Sequence, residues 1–118
     1  MNFGQAIASG FQNYVNFQGR SSRSAFWFWA LFSFIVSFAF STLSGGDSNN
    51  FFGLLGSLAG LAMLLPGLAV AVRRLHDIDR SGWFILLGLI PIVGIIILIV
   101  YYCQPSTVGA NRFGSAAA

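Results

Sequence analysis

The chain has 118 residues; only 8% are charged, 56% are hydrophobic and 13 are Phe. Ordinary soluble domains carry about a quarter charged residues, and a globule this small needs extensive polar surface to stay in water. The composition therefore excludes a soluble enzyme, a disordered tail and a disulfide-stapled secreted module, and leaves a membrane protein. The net charge of +3 comes from six Arg and three Asp with no Lys. Charges so scattered make no phosphate-tracking stripe, so nucleic acid is not an expected partner, and anionic lipid headgroups are. Cys103 and His76 each stand alone, which removes an intrachain disulfide and a Cys or multi-His metal cluster. No metal or cofactor is expected.

Residues 1–19 place Phe3, Ile7, Phe11, Tyr14 and Val15 near helical spacing, with Asn and Gln largely elsewhere. They predict a short amphipathic helix lying in the membrane interface before the Gly19 turn. Residues 20–103 then hold three uncharged runs at about 25–44, 51–72 and 83–102. Each approaches or exceeds the roughly 20 residues that an α-helix needs to cross about 30 Å of hydrocarbon. None alternates as a barrel strand would. The expected fold is all-α, a polytopic membrane protein with three transmembrane helices. The first run is too long and too far into the chain for a cleaved signal peptide. Residues 104–118 lack periodicity and predict an extended tail.

Arginines set the expected orientation. Arg20, Arg23, Arg73, Arg74 and Arg80 fall on one side of three crossings and only Arg112 on the other. The positive-inside rule makes the five-Arg side cytoplasmic and sends the C-terminal tail outside.

Within the bilayer, small residues allow close helix approach. Ser33, Ser37 and Ser41 recur every four residues in the first run, and Gly56 and Gly60 form a G-x-x-x-G in the second. These faces are expected to pack on each other; pairing with a second copy is the alternative. Pro66 and Pro91 are expected to kink their helices.

The polar chemistry is concentrated in residues 73–83, RRLHDIDRSGW. Arg73 and Arg74 are expected to complement the C-terminal dipole of their own helix. Ser81 or Asp79 is expected to cap the following one. His76, Asp77, Asp79 and Ser81 read as a structural clamp, with Arg20, Arg23 and Arg80 each able to pair with Asp77 or Asp79. The functional version gathers the five arginines around a phosphate-bearing headgroup or an acidic partner, which suits the planar guanidinium fork. Adjacent His76 and Asp77 point about 100° apart on a helix, and no nucleophile or paired-carboxylate motif accompanies them, so no catalytic residues are expected.

RRLHDIDRSGW, NFQGRSSRSAFWFW before the first run, LIPIVG in the third and GANRFG near the end occur in an order and spacing that resemble domain of unknown function 805, a bacterial family of small inner-membrane proteins. The resemblance spans about residues 17–114. It implies a polytopic fold in the bacterial inner membrane and transfers no catalytic residue. Members often carry Gly where Asp79 stands and Tyr where Phe113 stands. The expected function is a non-enzymatic accessory or scaffold subunit, with membrane lipids, anionic ones above all, and other membrane proteins or further copies of itself as partners. A small homo-oligomeric channel or transporter is the alternative.

Overall fold

A computed structural model describes residues 2–115, all helical apart from turns, loops and one isolated bridge between Asn111 and Gly114. Helix α1, Phe3–Gln12, begins with a reciprocal capping box in which Asn2 and Gln5 each bond the other's backbone N–H. Helix α2, Arg23–Ser44, is capped by the Ser22 hydroxyl accepting from the Ala25 N–H, and stops at Gly45 in the left-handed conformation. Asn50 caps α3, Phe51–Asp77, at the Gly53 N–H. The 22 residues of α2 and 27 of α3 correspond to about 33 and 40 Å of helix at 1.5 Å per residue, enough to cross a bilayer. Their central faces are bare of protein: Phe34 and Leu61 are 67% and 69% exposed, as lipid-facing side chains are. Residues 51–72 of α3, before Arg73, carry no charged side chain.

Helix α1 lies across α2, with Phe3 edge-on to Phe28 and Phe11 edge-on to Trp29. Just beyond it, the Tyr14 hydroxyl donates to the Ala62 carbonyl at 2.8 Å. That carbonyl is four residues before Pro66, which has no N–H to give it. Pro66 stays inside a continuous α3 because a neighbouring side chain replaces the missing donor, the usual way membrane helices tolerate proline.

The third apolar run departs from expectation. In place of one crossing helix over 83–102 there is a 3-10 helix, Gly82–Leu89, then a turn at residues 90–92, then α4, Val93–Cys103. Pro91 does more than kink a helix here. It disfavours helical geometry at the preceding residue, and Ile90 is extended, while Ile92 sits at φ 66. The two legs fold back on each other so closely that a Cβ on Gly94 would lie 1.7 Å from the Leu87 carbonyl oxygen. Eight residues of 3-10 helix and eleven of α-helix each measure about 16 Å, half the hydrocarbon thickness. The run is a hairpin whose two ends lie together, and two helices rather than three have crossing length.

Nor does the C-terminal segment extend freely away from the arginines. α4 returns to the end of the molecule from which the 3-10 helix left, and residues 104–114 lie against the arginine-rich loop there. Residues 116–118 fall outside the described part. The small core at this end joins Leu75, Leu98 and Tyr102, with Phe26 stacked on Tyr102.

Candidate functional site at the arginine-rich end

The centre of the site is Asp77, fully buried at the last turn of α3. Its Oδ1 accepts from Arg20 Nε at 2.9 Å and its Oδ2 from Arg74 Nη1 at 2.8 Å, with side chains of all three out of solvent. The Ser106 hydroxyl donates to the same Oδ2. Arg20 extends beyond the carboxylate to the carbonyls of Thr107, at 2.7 Å, and Gly109. The Thr107 N–H in turn donates to the Asp77 carbonyl at 2.9 Å. One ion-pair triad therefore ties the segment before α2, the end of α3 and the C-terminal segment into a single unit.

Arg74 stands in the last turn of its own helix, as expected, and its guanidinium also reaches the end of another. Its Nε and Nη2 donate to the Tyr102 carbonyl at 3.3 and 3.1 Å and Nη2 also to Gln104. Trp27 Nε1 donates to Tyr102 as well, at 3.1 Å, and Arg23 Nη1 to the Cys103 carbonyl at 3.2 Å. These donors meet the orphan carbonyls and the negative end of α4, which explains why the hairpin returns to this place.

Arg73 is 4% exposed. Nε donates to the Ser21 hydroxyl at 3.0 Å, and Nη1 to the carbonyls of Asn13 and Asn16 at 3.2 and 2.6 Å. Among the described residues no carboxylate pairs with it, and its burial lowers the guanidinium pKa.

His76 Nδ1 carries the proton it donates to the Gly19 carbonyl at 2.9 Å, and its ring stacks on Phe113 with centroids 4.0 Å apart. Burial, with a smaller contribution from Arg112, outweighs the Gly19 bond and lowers the His76 pKa. Asp79 is exposed, stands at φ 60, and pairs with Arg112 at 3.2 Å. That left-handed region favours glycine, which has no Cβ to crowd the backbone. Ser81 caps the 3-10 helix at the Trp83 N–H, 3.3 Å away.

Arg23 and Arg80 do not make the pairs expected of them: Arg23 reaches Cys103, and Arg80 lies 4.5 Å from the centroid of the Tyr101 ring. Three of the five arginines assigned to lipid, namely Arg20, Arg73 and Arg74, have buried side chains engaged within the protein, and cannot present an open face of five. Arg23 and Arg112 keep exposed surface. The role of Ser106, Thr107 and Gly109 was not read from sequence, since nothing in an aperiodic tail signals that it returns to Asp77.

At the opposite end, Ser37 and Ser41 line an open groove with Gly53, Gly56 and Ser57. Gly56 faces Phe40, where a Cβ would lie 2.8 Å from the Phe40 Cβ; a Cβ on Gly60 would meet open space, and Ser33 lies outside the groove. Of the G-x-x-x-G, one glycine makes a close approach.

The profile of a family described as "Protein of unknown function (DUF805)" matches residues 14–115. The Escherichia coli K12 inner membrane protein YhaH is 43% identical over 111 residues, covering 87% of this chain and 88% of YhaH. The inner membrane protein YhaI from the same strain is 40% identical over 108 residues, 88% of this chain and 87% of YhaI. No solved structure matches.

Proposed function

The chain belongs to the DUF805 family of unknown function, and on that premise we propose that it is an integral protein of the bacterial inner membrane acting as a non-enzymatic accessory or scaffold subunit. In this reading α2 and α3 cross the bilayer, and the hairpin of residues 82–103 enters to about half depth and returns. The arginine-rich end faces the cytoplasm under the positive-inside rule, and with it both the segment before α2 and the C-terminal segment. Anionic lipid and partner membrane proteins meet this end at the exposed Arg23 and Arg112.

The observation that carries the reading is the commitment of the polar chemistry to holding the fold. Among the described residues, every buried polar side-chain atom has a hydrogen-bond partner, and His76 spends its Nδ1 proton on Gly19. Purification in nanodiscs, with identification of the lipids and proteins that come along, tests it. A bare monomer without preference for anionic lipid refutes it, and so does lipid turnover that is lost in a folded His76→Ala variant.

Cys103, exposed and the sole cysteine, reports the topology without mutation. A membrane-impermeant maleimide should label it in inverted inner-membrane vesicles and leave it untouched in spheroplasts; the reverse pattern sinks the re-entrant arrangement.

A channel formed by several copies is the second reading, favoured by the groove of about 260 Å³ that Ser37, Ser41 and Ser57 line between otherwise apolar helices. It predicts liposome flux that Ser37→Leu abolishes.

A further inference from the structure

The arginine-rich end carries a charge imbalance that its internal hydrogen bonds do not resolve. Three buried guanidiniums, Arg20, Arg73 and Arg74, lie at this end with one buried carboxylate, Asp77, leaving an excess of two positive charges. Arg20 and Arg74 share Asp77, whereas Arg73 has only neutral oxygens around it. A buried charge without a counter-charge is expensive.

Arg73 borders a cavity of about 150 Å³ between the end of α1, the segment leading into α2 and the end of α3. Its lining is polar, with Ser9, Asn13, Gln18, Ser21 and Ser22 beside Arg73. Arg73 Nη2 makes no hydrogen bond among the described residues, although Nε and Nη1 are both engaged, and since every buried polar side-chain atom there has a partner, Nη2 is not itself buried but opens on accessible space. The Ser21 hydroxyl accepts from Arg73 Nε and so retains its own proton to donate. Ala25, in the first turn of the 22-residue α2, also lines the space, so the positive end of that helix adds to the field.

We propose that this cavity binds a phosphate group, received by Arg73 Nη2 and the Ser21 hydroxyl. Its place beside the start of a membrane-crossing helix puts it at headgroup depth, where the phosphate of an anionic lipid or a soluble phosphate can enter. The proposal deepens the reading that this end contacts anionic lipid and rests on it, but it names a recessed site distinct from the exposed Arg23 and Arg112.

The test uses the full chain in phosphatidylcholine nanodiscs, with thermal stability and native mass spectrometry as readouts. One arm titrates inorganic phosphate; the other adds phosphatidylglycerol to the disc. Stabilisation by phosphate, or by phosphatidylglycerol that phosphate displaces, supports the site. A response to phosphate alone identifies a soluble ligand, and retention of phosphatidylglycerol that phosphate displaces identifies a lipid.

Arg73→Gln should weaken binding at least about tenfold, the loss of one charge-assisted hydrogen bond, but it also removes contacts to Ser21 and Asn13. Gln18→Glu is therefore the decisive variant, since Gln18 is exposed and lines the same cavity. A carboxylate there supplies the missing counter-charge, so Gln18→Glu should stabilise the phosphate-free protein and abolish the response to phosphate. No response in the wild type, or a response that Gln18→Glu leaves intact, overturns the proposal. Loss of anionic-lipid preference in an Arg23→Gln, Arg112→Gln double variant, with phosphate stabilisation unchanged, locates the lipid contact outside the cavity. No anionic-lipid preference in the wild type instead overturns the reading beneath it.

Discussion

Replacing Asp77 with Asn removes one charge while keeping the side chain's shape, and it bears directly on the triad. In the wild type the carboxylate accepts from Arg20, Arg74 and Ser106 with no solvent access. Asp77→Asn leaves two guanidiniums buried without a counter-charge and turns an amide donor toward one of them. Removing one partner from a buried ion pair costs about 3–5 kcal/mol, a large share of the roughly 5–15 kcal/mol that holds a domain together. The consequence is more than local, because the triad joins the segment before α2 to Thr107 and Gly109. Thermal or denaturant unfolding in detergent micelles, followed by tryptophan fluorescence, measures the loss, with Trp27, which shares the Tyr102 carbonyl with Arg74, as a reporter. Asp79→Asn is the control, since Asp79 and Arg112 are 48% and 60% exposed in their side chains, and such surface pairs contribute about 0–1 kcal/mol. If the two variants lose equal stability, or Asp77→Asn loses less than about 1 kcal/mol, against the cost expected of a buried pair, then the triad does not hold this end together.

Three further outcomes follow from the same structure. Tyr14→Phe strands the Ala62 carbonyl and should cost about 1–3 kcal/mol; in the background of Pro66→Ala, which restores an N–H to that carbonyl, the cost should nearly vanish, and a double-mutant cycle showing simple additivity refutes the link. Gly94→Ala drives a methyl into the Leu87 carbonyl, 1.7 Å away, so the hairpin should open and the maleimide reactivity of Cys103 should change; unchanged stability and labelling refute this packing. Because the His76 pKa is lowered, chiefly by burial, its stabilising contribution is fully present above the free-histidine value of 6.5 and is lost as pH falls through the lowered native value. Trypsin cleavage at Arg112, beside the ring stacked on His76, corrected for the protease's own pH profile, should accelerate as pH falls from 6.5 toward the lowered native value and level off below it, and an imidazole NMR titration at or above 6.5 would contradict the assignment.

Composition and run length by themselves determined the solvent. Eight per cent charge and three long apolar runs admit only helices with lipid around them, because a helix satisfies its backbone internally whatever its neighbours do. Capping was legible at one point: Ser81, one of the two candidates, accepts from the Trp83 N–H as a short polar side chain before a helix does. The third run shows where such reasoning stops. Twenty apolar residues have the same hydropathy whether they cross once or turn halfway. What separated the two was a balance of distant contacts: Pro91 and Ile92 in turn geometry, Gly94 against Leu87, and three side-chain donors waiting for the carbonyls at the end of α4. The clamp was visible as a set of charges, but its pairing was not, because Arg20 lies 57 residues from Asp77 and Ser106 sits in a segment without periodicity. Ion pairs and carbonyl caps have no sequence period, so only the tertiary structure decided which arginine met which acid, and which was left with a cavity in front of it.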